Sequence, residues 1–282
     1  MKEILSSLDG GLTKAIKSLD QRTLDKILGN FQWLNCQFGL GSGLRTNHAR
    51  WWARKWLTDF GGGEKTSFAL YAPRLLEGFE IRTSGENYLD EGPAIFVTNH
   101  PPGPIRGYWI CFALNWVFER RLQKGPSPYW LTTDYSTHPI FRSKSSSFVR
   151  KRISHIWAEP GEVFILPFDL EKRKKIIDQA SDHLSRGGRV AVTIEDPTKK
   201  QLSRARPGVG RILAQLTQAK EIPIYPVGLW KTGDNLNLRF GHAINLKGLS
   251  DPQKIADKIG IQIAHLLPED RRGVFKKSTR QI

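Results

Sequence analysis

The sequence predicts an α/β fold: a mixed, largely parallel central sheet flanked by helices, with an N-terminal helical appendage. Three observations carry that prediction. Short apolar runs alternate with longer amphipathic stretches from residue 65 onward, and Gly and Pro punctuate the changes between them. Several of the runs are apolar throughout, as strands covered on both faces are. Before Asp59 the apolar spacing is instead helical.

Residues 1–60 open the chain. Ile4, Leu8, Leu12 and Ile16 recur every fourth position, and Leu24, Ile27 and Leu28 continue the stripe. Trp51, Trp52 and Trp56 lie among Arg45, His48, Arg50, Arg54 and Lys55. Tryptophan with basic residues suits a helix lying at a membrane interface, and equally a helix docked on the protein's own core. Asp59-Phe-Gly-Gly-Gly-Glu64 then breaks the pattern and marks the boundary of a second region, 65–282.

In that region strands are expected near Phe79–Thr83, Ala94–Thr98, Tyr129–Thr133, Val163–Leu166, Arg189–Ile194, Ile224–Leu229 and Leu236–Gly241. Helices are expected near Gly107–Leu122, Leu170–Arg186, Val209–Ala219 and Pro252–Leu267. The longest uncharged apolar run, Gly107 to Phe118, is too short to span a bilayer, which takes about 20 residues. It reads as a buried helix, its far end capped by Arg120 and Arg121. Any membrane association is therefore expected to be peripheral.

The strand Ala94-Ile-Phe-Val-Thr98 stops abruptly at Asn99-His100, ahead of the stiff loop Pro101-Pro-Gly-Pro104. The carboxyl ends of parallel strands are where α/β sheets bind ligands. An imidazole there has the pKa of a general base for a hydroxyl nucleophile. Further along, Arg189-Val-Ala-Val-Thr-Ile194 ends in Glu195-Asp196-Pro197-Thr198-Lys199-Lys200. The helix start Arg206-Pro-Gly208-Val-Gly-Arg211 and the run Ile222-Pro-Ile-Tyr-Pro-Val-Gly-Leu229 follow.

In order and spacing, these blocks resemble the glycerol-phosphate and lysophospholipid acyltransferase family over roughly Phe79 to Gly241. That family carries an Asn-His-x4-Asp block, a Pro-Glu-Gly-Thr-Arg block, a Lys-x-Gly helix start and a Pro-Ile-x-Pro-Val strand. The chain is divergent. Ile105 and Arg106 stand where the family places its aspartate, and the Glu195–Lys199 block lacks the family's glycine. Pro167-Phe168-Asp169 replace an expected arginine.

The resemblance implies transfer of a fatty acyl group from a thioester, acyl-CoA or acyl carrier protein, to a hydroxyl of glycerol phosphate or a lysophospholipid. His100 is then the general base. Asn99, Glu195, Thr198 and Gly208 belong to the substrate site, and Lys199, Arg204 and Arg206 neutralise the acceptor phosphate. Backbone N–H groups at Gly103 or at the following helix start are candidates to stabilise the oxyanion. Three readings stand for the missing aspartate: another acid (Asp134, Asp169 or Asp196) orients His100, a backbone carbonyl does so, or the site only binds lipid. An inactive lipid- or membrane-binding relative is thus the alternative function, with a basic nucleic-acid-binding protein behind it.

Charge fits these partners. Lys and Arg number 43 against 27 acids, a net charge of +16, concentrated in Arg142–Arg152, Lys199–Arg211 and Arg271–Arg280. Anionic bilayers, phosphate head groups and an acidic carrier protein suit such clusters. No RNA-binding signature or zinc-finger spacing accompanies them, so nucleic acid is not favoured. Cys36 and Cys111 make no metal or redox spacing and read as reduced core thiols of a cytoplasmic protein. No secretory signal is visible, and no metal or cofactor is expected.

Overall fold

The computed structural model describes residues 72–74, 76–100, 108–123, 125–133, 163–167, 169–194, 201–217 and 221–280. The expectations for residues 1–60, including the tryptophan cluster, and for the Asp59–Glu64 breaker lie outside them. So do those for Cys36, Gly103, Ile105, Arg106 and Arg142–Arg152.

Seven strands form one sheet: β1 (Glu80–Ser84), β2 (Ala94–Thr98), β3 (Tyr129–Thr133), β4 (Val163–Leu166), β5 (Arg189–Thr193), β6 (Ile224–Thr232) and β7 (Asn235–Phe240). Their order is β1-β7-β6-β2-β5-β3-β4, and β6 with β7 is the antiparallel pair. The fold is therefore α/β with a mixed, mostly parallel sheet. β2 to β6 all run one way, so their carboxyl ends share one edge, while β1 and β7 run oppositely.

The alternation of side chains across each strand sorts the core into two layers. Ala94 and Phe96 of β2, Ala191 of β5, and Tyr225, Val227 and Leu229 of β6 face α1 (Tyr108–Trp116). Ile95, Val97, Val190 and Val192 face α2 (Leu170–Ser185), α3 (Pro207–Thr217) and α4 (Pro252–Leu266). All five residues of β2 are buried, because β5 and β6 flank it and helices cover both faces. Its apolar run reflects that position. Among the described residues, no helix is long and apolar enough to cross a membrane.

One helix departs from expectation. Beyond Trp116 the chain widens into a π-helix, Val117–Leu122, closed by a 3.0 Å bond from Gln123 N–H to the Phe118 carbonyl. Gln123 then takes a left-handed φ of 49° and ends it. Arg121 does not simply cap this helix: its Nη1 donates to the Ile81 carbonyl at 3.3 Å, tying the helix end to β1.

Candidate functional site

β2 and β5 lie side by side in register, Thr98 opposite Thr193, and the Ile194 N–H donates to the Thr98 carbonyl at 2.8 Å. The chain segments leaving the two strands therefore start one strand spacing apart, about 4.8 Å. One segment begins with Asn99 and His100. The other runs on from Ile194 into Glu195, Thr198 and Lys199, which lie outside the described residues.

Asn99 is buried, and its side chain is used on the backbone of β6. Nδ2 donates to the Leu229 carbonyl at 2.8 Å, and Oδ1 accepts from the Leu229 N–H at 2.7 Å. β2 has stopped at Thr98 while β6 runs on to Thr232, so the amide stands in for the missing strand neighbour. The sequence assigned Asn99 to substrate. Its polar atoms instead fix the start of the loop, which gives half-buried His100, the next residue, a defined origin. Thr98 beside it is fully buried, and its hydroxyl has no hydrogen-bond partner among the described residues. Sequence reasoning passed over this threonine; a hydroxyl residue closing an apolar strand was the available signal.

The basic residues after β5 divide by environment. Arg204 makes a bidentate pair with Asp257 of α4, Nε to Oδ1 at 2.9 Å and Nη2 to Oδ2 at 2.5 Å. The Arg204 hydrogen bonds hold the Asp257 carboxyl below its ordinary pKa, against a smaller upward push from burial; Gln253, donating to Oδ1 at 2.8 Å, also lowers it. The same pairing raises the Arg204 pKa. Expected at a substrate phosphate, Arg204 thus spends its fork on a helix. Arg206 is exposed just before α3. Gly208, in the first turn of α3, has open space where a side chain would project. Gly210 is tight: a Cβ there would meet the Pro252 carbonyl, with its carbon 2.8 Å away and the Ala256 nitrogen at 3.2 Å.

Of the carboxyl-terminal bases, Arg271 and Arg272 are built into the structure at this edge, while Lys276 and Lys277 are exposed. Arg271 Nη2 donates to the Lys231 carbonyl near the end of β6 at 3.1 Å, and Arg272 Nε to the Leu267 carbonyl at 3.0 Å. Lys276 pairs with Glu269 at 3.4 Å. The segment also braces the one that follows the Glu195–Lys200 block: Leu202 N–H donates to Arg271 O at 3.0 Å, and Val274 N–H to Leu202 O at 3.2 Å. Gly273 makes this possible: its φ is +52°, and a Cβ there would run into the Leu202 carbonyl, with the Leu202 nitrogen 2.9 Å away.

Of the acids considered for orienting His100, Asp134 and Asp196 lie outside the described residues. Asp169 caps α2, accepting from Lys172 N–H at 2.9 Å. It follows β4, three strands from β2, or about 14 Å at the usual strand spacing. Asp169 is therefore committed elsewhere.

No family model matches the chain, and no curated protein does. Among solved structures, the chain is similar to the 1-acyl-sn-glycerophosphate (LPA) acyltransferase PlsC from Thermotoga maritima. Sequence identity is 13%, with 92% of this chain and 94% of that one covered, at a TM-score of 0.42.

Proposed function

We propose that the protein is an O-acyltransferase that moves a fatty acyl group from a thioester to a hydroxyl of glycerol phosphate or a lysophospholipid. The observation that carries this reading is the register of β2 with β5. It starts the Asn99-His100 segment and the Glu195–Lys199 segment beside each other, at the ligand-binding edge of a parallel sheet. Those are the two blocks on which the sequence resembles the acyltransferase family.

In this reading His100 takes the proton from the acceptor hydroxyl as its oxygen attacks the thioester carbonyl. The carbonyl π-electrons move onto oxygen, giving a tetrahedral oxyanion. Its collapse expels the thiolate, which takes up the proton from the imidazolium. The ester and a free thiol are the products, and the activated thioester makes any cofactor unnecessary. Glu195 and Thr198 position the acceptor, and Lys199 and Arg206 meet its phosphate. Asn99 acts as a positioning residue through Leu229. The protein meets its lipid substrate at an anionic membrane surface, for which its net charge of +16 is suited.

The test is thioester release by the purified protein and by His100→Ala. The donors are acyl-CoA and acyl carrier protein, and the acceptors are glycerol phosphate and lysophosphatidic acid. Release that requires an acceptor and vanishes in the variant is the expected result. Folded protein that binds lysolipid yet releases no thiol with any pair overturns the catalytic reading.

A further inference from the structure

Among the described residues three large apolar side chains are exposed. Two of them, Leu170 at 75% and Val274 at 62%, stand at the edge of the sheet that bears His100. Leu170 opens α2 just past β4, whose carboxyl end shares that edge. Val274 donates its N–H to the Leu202 carbonyl, in the segment that Arg271 ties to Lys231 near the end of β6. β6 and β4 lie on opposite sides of the β2–β5 pair, four strand spacings or about 19 Å apart. The two side chains therefore flank the strands that lead to Asn99-His100 and to Glu195.

Lysines accompany both. Lys172, Lys174 and Lys175 are exposed on α2 behind Leu170, and Lys276 and Lys277 follow Val274. Lys276 pairs with Glu269. Lys172, Lys174, Lys175 and Lys277 have no side-chain hydrogen bond or ion pair among the described residues.

On α2 these bases stand in the wrong half for helix stability. Lys172-Arg-Lys-Lys175 fill its first two turns, and Asp178 and Asp182 stand in its second half. The helix dipole favours the reverse order. Arg173 is accounted for, since its Nε donates to the Pro167 carbonyl at 2.9 Å. With the Asp169 cap, that bond fixes how α2 leaves β4. No described contact accounts for the three lysines, or for a leucine left three-quarters in water.

From the two apolar points, the lysines beside them and the inverted charge of α2, we propose that this edge is the face that docks on an anionic bilayer. Leu170 and Val274 enter the boundary between head groups and acyl chains, and Lys172, Lys174, Lys175 and Lys277 meet lipid phosphates. A stable interface with an acidic protein needs a continuous apolar core. Single apolar side chains set apart amid long, flexible lysines suit a fluid surface instead. Docked in this way, the edge with His100 faces the lipid. The inference rests on the lipid acceptor proposed above and says from which side that acceptor enters.

The test is sedimentation of the full chain with vesicles of phosphatidylcholine, with and without phosphatidylglycerol, and no acyl donor. Binding is expected only with phosphatidylglycerol. Lys172→Gln/Lys175→Gln should weaken it about fivefold per lysine, or about 25-fold in all, with an unfolding temperature that holds or rises. Leu170→Ser and Val274→Ser, also unchanged in unfolding, should each weaken it at least about fivefold. Arg186→Gln/Lys247→Gln removes the same charge at the opposite edge, before β5 and beyond the Ile244–Ile224 bridge, and should cost less than about threefold. Equal losses in the two double variants would mean that net charge alone binds the vesicles, which overturns the docking face. Wild-type binding in the Leu170 and Val274 variants overturns it too, as does binding indifferent to phosphatidylglycerol. Acyl carrier protein bound by the wild type and lost in the α2 variants, with vesicle binding untouched, replaces the bilayer with an acidic protein. His100→Ala should bind vesicles like the wild type. A chain that docks but transfers no acyl group thus keeps this face and loses the acyltransferase reading, and one that transfers without docking does the reverse.

Discussion

The side-chain amide of Asn99 makes with Leu229 the pair of hydrogen bonds that a continued strand would have made, at 2.8 and 2.7 Å. A donor and an acceptor of the β6 backbone are satisfied by one residue of the loop that carries His100. Removing that amide leaves both backbone groups of Leu229 buried without partners, and each such group costs about 1–3 kcal/mol. Asn99→Ala is therefore expected to lose about 2–4 kcal/mol in denaturant unfolding. Asn99→Asp retains an acceptor for the Leu229 N–H but sets a carboxylate against its carbonyl. It should be destabilised as well, and more so as pH rises and the carboxylate ionises. Wild-type stability in either variant would remove Asn99 as the anchor of the loop.

Two glycines two residues apart in α3 make opposite predictions. Gly208 faces open space, so Gly208→Ala gains helix propensity and should leave stability unchanged or raised by up to about 1 kcal/mol. Gly210 lies against Pro252 and Ala256 of α4, so Gly210→Ala must push the helices apart, at about 1–3 kcal/mol. Thermal unfolding of the two variants separates them. Thioester turnover adds the functional question: Gly208→Ala, intact in stability but impaired in acceptor KM, would place the start of α3 at the substrate.

His183 should give the protein an acid-sensitive limb. Its ring stacks on Tyr129 at 4.0 Å, with Gly188 directly beneath it. Burial lowers its pKa below the ordinary 6.5, and nearby Arg186 adds to this, against a hydrogen bond with the Arg189 backbone that works to raise it. The unfolded chain therefore takes up a proton near pH 6.5 that the folded chain refuses. Stability contributed by the neutral ring is complete above pH 6.5 and is lost as pH falls from there through the folded pKa. The slope for one proton is at most about 1.4 kcal/mol per pH unit. His183→Phe, whatever its stability at pH 8, should show a shallower loss between pH 6.5 and 5 in urea titrations. An unchanged slope would assign the acid limb to other groups.

How much of this was legible depends on how local the cause is. β2 was readable to the residue, because Gly92-Pro93 and Asn99 bound a run buried on both faces. β6 runs three residues past its expected end at Leu229. Trp230, Lys231 and Thr232 pair with Asn237, Leu236 and Asn235 across the two-residue turn Gly233-Asp234, and pairing rather than apolarity keeps them extended. Partners far along the chain were not readable at all. A run of bases gives no sign that Arg204 will meet Asp257, or Arg271 the carbonyl of Lys231. At the candidate site the two strands were legible and so was their common edge, but the use of the Asn99 amide on Leu229 was not. It depends on β2 stopping before its neighbour does, a fact of three-dimensional register.

The opposite end of β5 carries a buried arginine whose contribution should be separable by mutation. Arg189 is 1% exposed; Nε donates to the Gly92 carbonyl at 3.0 Å and Nη2 to that of Asp90 at 3.3 Å, with the guanidinium 5.0 Å from the Phe118 ring centroid. Burial lowers its pKa, and Tyr225 and Glu91 offset part of that. Tyr225 holds the same loop from β6, its hydroxyl donating to Asp90 Oδ2 at 2.8 Å and accepting from the Asp90 N–H at 3.2 Å. Burial, with Asp90, pushes the Tyr225 phenol up, so this contribution holds below pH 10 and fades only as pH climbs through the folded value. Tyr225→Phe deletes two hydrogen bonds and should cost about 1–3 kcal/mol. Arg189→Met keeps the apolar stem but leaves the two carbonyls without their donor, at about 2–4 kcal/mol. Because both side chains restrain Asp90, the double variant should lose less than the sum of the two by at least about 0.5 kcal/mol. Strict additivity in the unfolding free energies would mean that Arg189 and Tyr225 hold the loop independently.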